Sequence, residues 1–81
     1  MRMTFYDVKP EKLFTAADLC SEAVLFEESE SRRDIRRNAC VQRYLSKNLK
    51  NGRIPCIEIS AQNAEDFKRL FQVMCESHMA A

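Results

Sequence analysis

The sequence predicts a small, helix-dominated α+β domain with the element order β-α-α-β-α and a two-stranded antiparallel sheet. Two short segments are rich in aromatic and β-branched residues, and three longer segments repeat apolar residues at helical spacing. A chain of 81 residues with 46% hydrophobic residues, one glycine and two prolines has room for a single small core. We therefore expect residues 1–81 to form one domain.

The first strand is predicted at Thr4–Val8, where aromatic and β-branched residues follow one another. Pro10 ends that strand and is tolerated in a first helical turn, so residues 10–14 are expected either to form a leading helical turn or to join the helix that follows. Thr15 and Asp18 have the spacing of a capping box, so the first full helix is expected to run from about 16 to 28. Its apolar face consists of Leu19, Cys20, Ala23 and Val24.

The second helix is predicted at about 32–50, because both of its ends carry signals. Ser31 and Asp34 have capping spacing, and Asn51 and Gly52 supply a left-handed C-cap. With successive residues about 100° apart, one arc is apolar and the neighbouring arc is basic. The apolar arc holds Ile35, Ala39, Val41, Leu45 and Leu49, and the basic arc holds Arg32, Arg36, Arg43, Lys47 and Lys50.

The second strand is predicted at Arg53–Ser60, paired with the first. Because proline cannot donate to a ladder, the Pro55 end of this strand is expected at a sheet edge or beside a bulge. Asn63 and Asp66 signal the start of a last helix that ends near His78. Its apolar face holds Phe67, Leu70, Phe71 and Met74. The exposed edge of so small a sheet offers a second copy a site for strand addition, so a homodimer is one expected assembly.

Positive charge is concentrated in residues 32–53, which hold eight basic residues and one acid, a net charge of +7. Residues 1–31 sum to −4 and residues 54–81 to −2, so the whole-chain charge of +1 conceals a basic element. Arginines in a first helical turn oppose the helix dipole, so local stability does not explain them. The predicted contact surface consists of Arg32, Arg33, Arg36, Arg43, Lys47, Lys50 and Arg53.

Three interpretations of this basic helix stay open. In the preferred one, a small non-enzymatic protein binds nucleic acid, with a regulatory role on DNA, because each phosphate that a cation neutralises releases counterions. In the second, the helix contacts an acidic protein surface, and the protein is an inhibitor, adaptor or modulator. In the third, Glu27, Glu28 and Glu30 balance the arginines within a solvated face.

The stretch RYLSKNLKNGRI, residues 43–54, resembles a recognition helix that runs into the wing of a winged-helix protein. This resemblance implies a helix in the major groove of duplex DNA. A wing needs two strands after the helix, and the sequence shows one, at Arg53–Ser60.

The chain offers few groups for catalysis or for a cofactor. His78 is the single histidine, and one glycine excludes a glycine-rich phosphate loop. The four cysteines contain no Cys-x-x-Cys pair, so we expect reduced, mostly buried thiols and neither a metal nor another cofactor. Cys40 carries the one remaining enzyme hypothesis, because neighbouring arginines favour a reactive thiolate.

The expected location is the cytoplasm, without membrane contact. No apolar run approaches the roughly 20 residues that span a bilayer. Asp7 and Lys9 also interrupt any hydrophobic core of a signal peptide.

Overall fold

The computed structural model describes residues 1–28, 31–47 and 49–79. These residues form an α+β domain with three helices and a four-stranded antiparallel sheet in the order β1-β4-β2-β3. The elements are β1 (Arg2–Val8), α1 (Pro10–Leu19), β2 (Leu25–Glu28), β3 (Ser31–Asp34), α2 (Ala39–Leu45), β4 (Ile54–Ser60) and α3 (Ala64–Met79). The prediction of a two-stranded sheet in the order β-α-α-β-α is wrong, because two segments predicted as helical contain strands.

The predicted antiparallel pairing of the first and last strands, β1 and β4, is confirmed. Met3 lies opposite Ile59 and Phe5 lies opposite Ile57, and all four side chains are buried in the core. α1 and α3 pack on each other and α3 contacts β1, so these helices cover one face of the sheet. Tyr6 is exposed on the opposite face, which we call the open face. The largest fully buried side chains are Phe5, Val8, Leu13, Val24, Ile35, Ile59 and Leu70.

Near one end of their pairing, β1 and β4 both depart from the regular alternation of buried and exposed side chains. Asp7 has a φ of 51°, and Pro55 lies at the same level of β4. Pro55 has no N–H to donate, and the Asp7 carbonyl accepts from the Arg53 guanidinium at 3.5 Å. Beyond this point Val8 and Ile54 are both buried, so Ile54 joins the core face against the predicted alternation.

α1 starts earlier and ends earlier than the helix predicted at 16–28. It begins at Pro10, because proline is favoured in a first turn, where its missing N–H costs nothing. Thr15 is not a cap: it lies inside α1, and its Oγ1 donates to the Glu11 carbonyl at 2.7 Å.

The chain leaves α1 at a turn that the Asp66 carboxylate holds from the first turn of α3. The backbone N–H groups of Ser21 and Glu22 each donate to it at 3.1 Å. Asp66 is only 2% exposed, so these bonds satisfy a buried charge. Because they fix this turn, the apolar run that follows forms β2 and does not extend the helix.

The helix predicted at 32–50 is also wrong, since β3, a turn and the short α2 occupy this stretch. Asp34 does not cap a helix: its Oδ1 accepts from the backbone N–H of Val24 at 3.0 Å and of Arg36 at 2.9 Å, which closes the turn after β3. α2 begins only after Asn38, whose side-chain oxygen accepts from the third helical N–H at 3.3 Å. The cap of this helix therefore lies seven residues beyond the predicted one at Ser31.

Asn51 and Gly52 form a two-residue turn and not the predicted C-cap. Their φ angles are 56° and 75°, and Lys50 and Arg53 exchange two backbone hydrogen bonds of 2.8 and 3.1 Å. Positive φ at both central residues is typical of a type I′ hairpin turn, for which Asn-Gly is a strong sequence signal. Since α2 ends at Leu45, the recognition helix implied by the winged-helix resemblance is absent from the described residues.

The last helix, α3, confirms the predicted start after Asn63 and the predicted end near His78, but its predicted apolar face is partly wrong because Phe71 is 44% exposed. Asn63 caps it, because its Oδ1 accepts from the backbone N–H of Asp66 at 2.8 Å. Leu70 and Val73 are buried, and Phe67 packs partly against the core. Neither α3 nor any other helix in the described residues has the length and apolar character that a membrane-spanning segment requires.

Candidate functional site

The seven residues predicted to form one basic face lie on five different parts of the fold. Arg32 and Arg33 belong to β3, Arg36 to the turn that follows it, Arg43 to α2, Lys47 to the residues after α2, and Lys50 and Arg53 flank the Asn-Gly turn. They therefore do not form a helical stripe. They fall into two groups: Arg32 and Arg36 form ion pairs within the fold, and the others form none in the described ranges.

Arg32 and Arg36 each form an ion pair with an acidic residue of the same fold. The Nε of Arg32 lies 3.1 Å from Glu27 Oε1, directly across the β2–β3 pair. The Arg36 guanidinium lies 3.9 Å from Asp34 and donates to the Cys20 carbonyl at 3.4 Å. Glu27 thus balances Arg32 as the third interpretation expects; Glu30 and the side chain of Glu28 lie outside what the structure describes.

A row of four charges crosses the open face of the sheet, with one residue from each strand. Arg2 of β1 lies 3.5 Å from Glu58 of β4 and 3.2 Å from Glu27 of β2, and Glu27 also pairs with Arg32 of β3. Each carboxylate therefore has an arginine beside it. The row ties the four strands together and leaves little net charge on this face.

Arg43, Lys47 and Lys50 have a different environment. All three are exposed, and none forms an ion pair with a residue in the described ranges. Arg53 is half-buried, and its guanidinium donates to the Asp7 carbonyl at 3.5 Å but forms no ion pair in the described ranges. We call these four residues the basic end. Arg33 is also exposed and unpaired among the described residues, but it lies on the edge strand β3, outside this group.

α2 presents part of the basic end together with an aromatic ring. Val41 is buried and Leu45 is half-buried, which turns Arg43 and Tyr44 to the outside. The Lys47 N–H donates to the Tyr44 carbonyl at 3.3 Å, so Lys47 continues the same turn. Arg43 and Tyr44 are therefore neighbouring exposed residues of α2, and Lys47 follows them within one turn.

A groove opens where β2 and β4 separate. Their pairing stops after Leu25 with Ser60 and Phe26 with Ile59, and the first half of β4 has no strand on its β2 side in the described residues. The space has a volume of about 470 Å³. Its walls come from Phe26 and Glu27 of β2, Tyr44 and Leu45 of α2, and residues 54–58 of β4. We call it the β2/β4 groove.

Tyr44 forms one wall of this groove in a fixed position. Its ring centroid lies 6.3 Å from that of Phe26 with the planes tilted by 38°, a favourable aromatic arrangement. Phe26 is buried, whereas Tyr44 is 38% exposed. The ring is thus supported from behind and accessible from outside.

Sequence reasoning missed the groove because it missed β2. Two signals were present: the apolar run at residues 23–26, which was assigned to a helix, and the Asn-Gly pair, which is typical of a hairpin. Together they indicate extended chain on both sides of α2.

The four thiols are free and differ in exposure, so the prediction of mostly buried cysteines is wrong: Cys40 and Cys56 are exposed and only Cys20 is fully buried. Burial raises the pKa of the Cys20 thiol to about 11, and the nearby Asp66 charge adds to the effect. Cys20 is therefore a neutral thiol, and its Sγ donates to the Ala16 carbonyl at 3.3 Å. No three potential metal ligands cluster within the described ranges.

The basic end and the β2/β4 groove are thus adjacent parts of one surface, joined through α2 and through the turn that leads into β4. Comparison of the chain with protein-family models, with curated proteins and with solved structures found no match.

Proposed function

We propose that this chain is a small non-enzymatic binding protein that contacts nucleic acid through the basic end, Arg43, Lys47, Lys50 and Arg53. The observation that supports the proposal is the contrast within one segment: Arg32 and Arg36 have acidic partners, whereas the exposed cations of the basic end have none in the described residues. Exposed cations without acidic partners are available to phosphates, and each phosphate that they neutralise releases counterions.

The binding mode differs from the one that the sequence suggested. α2 has seven residues and is roughly 10 Å long, and Arg43 is the only residue of the basic end within it. So short a helix does not supply the several base contacts of a recognition helix in a major groove. The proposal therefore concerns contacts to phosphates, and a regulatory role on DNA is one use of such contacts.

Fluorescence anisotropy with labelled oligonucleotides at low salt tests the proposal. The variant Arg43→Glu/Lys47→Glu is compared with Lys68→Glu/Arg69→Glu, which changes the net charge equally on exposed positions of α3. We expect the first variant to lose affinity by about tenfold or more and the second to lose much less. Equal losses for the two variants, or no binding by the wild type, contradict the proposal.

The same titration with poly-glutamate examines the alternative partner, an acidic protein surface. Phosphates are favoured if the oligonucleotide binds more tightly than poly-glutamate of equal charge.

The alternative, an inhibitor, adaptor or modulator of a protein, has separate support in α3. There Phe71 is 44% exposed and stacks on Phe67 with ring centroids 6.1 Å apart, and exposed aromatic rings are common in protein interfaces.

Self-association and a cytoplasmic location are further parts of the proposal. β1 and β3 are the edges of the sheet, and β1 is the longer, with seven residues against four. A second copy that adds its β1 in antiparallel orientation would pair the free edge. Sedimentation analysis over a range of concentrations tests this: a monomer at every concentration excludes the homodimer.

A further inference from the structure

We infer that the β2/β4 groove receives an unpaired base of a single-stranded nucleic acid, stacked on the ring of Tyr44, while the adjoining phosphates lie on the basic end. The inference rests on the proposed function and extends it from phosphate contact to the recognition of single strands.

The position of the cations supports this arrangement. On one side of the groove, Arg43 precedes Tyr44 and Lys47 follows it within one turn. On the other side, the Lys50–Arg53 turn leads directly into Ile54, which lines the groove. A strand whose phosphates follow the basic end therefore has its bases beside the mouth of the groove.

The walls of the groove suit the face of a base. Tyr44, Leu45 and Ile54 provide aromatic and aliphatic surface, and Phe26 holds the Tyr44 ring in place from behind. Stacking on an aromatic side chain is available to every base, so it favours single strands without strong sequence preference. Bases of a duplex are already stacked, and removing one from the stack costs energy.

The charge inside the groove is compatible with this occupant. Glu27 and Glu58 lie at the groove and would repel a phosphate, but each is held by an arginine: Glu27 by Arg2 and Arg32, and Glu58 by Arg2. The unbalanced positive charge lies outside, on the basic end. Phosphates are thereby favoured at the mouth and an uncharged base within.

The size of the groove also limits what it accepts. Its volume of about 470 Å³ is in the range of pockets for small ligands, roughly 300–1,000 Å³. It is closed at one end by the pairing of Phe26 with Ile59, so a peptide strand extends along β4 only as far as that pair. A single base with its sugar requires no such length.

Intrinsic tyrosine fluorescence tests the stacking directly, since Tyr6 and Tyr44 are the two tyrosines and the chain has no tryptophan. Tyr6→Phe leaves Tyr44 as the only emitter, and Tyr44→Phe leaves Tyr6. The probes are oligothymidylate and oligouridylate of about eight nucleotides, within the usual range of site sizes for single-strand binding. An abasic deoxyribose-phosphate strand of equal length is the control.

We expect both base-containing probes to quench the emission of Tyr6→Phe and the abasic strand to leave that emission nearly unchanged. None of the three probes should quench the emission of Tyr44→Phe. The abasic strand should bind about tenfold more weakly, which corresponds to the stacking of one base. Tyr44→Leu, which keeps apolar contact with Phe26 but has no ring, should bind normal and abasic strands equally.

The two levels of the proposal fail differently. If abasic and normal strands bind wild-type protein equally and Tyr44 emission does not change, the stacking inference is wrong and phosphate contact remains. If no strand binds at low salt, the proposed function itself is wrong. Tighter binding of a duplex than of either single strand also overturns the inference.

Discussion

Arg32 and Glu27 lie directly opposite each other on β3 and β2, with Nε and Oε1 3.1 Å apart. The charge of Arg32 is therefore already balanced by an ion pair within the fold. Arg43, in the same basic segment, has no such partner in the described residues. Equal charge and similar exposure make these two arginines a matched pair for separating stability from binding.

We predict opposite effects for the two alanine variants. Arg32→Ala should lower the free energy of unfolding by roughly 0.2–1 kcal/mol, because it removes a cross-strand ion pair whose arginine is exposed. It should leave oligonucleotide affinity within about twofold at physiological salt, where distant charges are screened. Arg43→Ala should reduce affinity by about threefold or more and leave stability nearly unchanged. Urea unfolding and anisotropy measure the two effects, and an equal loss of affinity would make Arg32 part of the contact.

A second prediction concerns the buried carboxylate of Asp66. Asp66→Asn replaces one acceptor oxygen with an NH₂ group that faces the donors of Glu22 and Asn63. Leaving buried donors unpaired should cost roughly 1–3 kcal/mol of unfolding free energy. Glu65→Gln, one residue earlier and exposed, is the control and should cost far less. A small effect of Asp66→Asn would mean that the turn at residues 21–22 does not depend on the carboxylate.

The pH dependence of stability should follow from the same carboxylate. Burial alone would raise the pKa of Asp66, but hydrogen bonds from the Ser21 and Glu22 backbones and from Asn63 outweigh it and hold the pKa below its ordinary value. A depressed folded-state pKa stabilises the fold above the unfolded pKa, and this stability is lost as the pH falls through the folded value. Asp66→Asn should therefore lose less stability than wild type on acidification; parallel curves would contradict this.

The Asn-Gly turn gives a prediction about backbone strain. Gly52 has a φ of 75°, and nothing lies within 4 Å of the position that a Cβ would occupy. Gly52→Ala should therefore cost about 1–2 kcal/mol of unfolding free energy through the backbone alone. Gly52→Asn should cost less, since asparagine tolerates this region, as Asn51 already does at 56°. Equal losses for both variants would indicate a cause other than φ.

The elements that sequence reasoning predicted well are those whose signals are local. β1 and β4 are rich in aromatic and β-branched residues, α3 has helical spacing, and the Asn63 cap lies in the sequence at the position where the structure has it. The pairing of β1 with β4 could be predicted because the sequence showed two strands and each needed a partner. For these elements, local preference and tertiary structure agree.

The errors lie where a distant residue decides the local structure. Asp66 accepts hydrogen bonds from the backbone of Ser21 and Glu22, which lie 45 and 44 positions away, and these bonds hold the turn between α1 and β2. Asp34 bonds to Val24 across the β2–β3 pair and so does not act as a helix cap. The basic face was predicted on a single helix, and the structure distributes its residues over several elements. The groove beside Tyr44 was missed because β2 was not predicted.

The salt dependence of binding should count the phosphates at the basic end. For single strands, log K falls with log salt by about 0.7 per neutralised phosphate. Arg43→Gln/Lys47→Gln should therefore reduce the steepness of this slope by about 1.4, if each cation meets one phosphate. Lys68→Gln/Arg69→Gln on α3 should leave the slope unchanged. An identical slope for all three proteins would show that the contact lies elsewhere.

Chemical-shift mapping of the backbone amides tests most directly whether the basic end and the β2/β4 groove form the binding surface. A titration of ¹⁵N-labelled protein with oligothymidylate at low salt would follow each amide. We predict the largest changes at residues 43–47, 53–54 and 56–57, with α3 from Ala64 to Cys75 nearly unaffected. Largest changes at residues 2–6 of the open face, or along α3, would contradict the proposed surface.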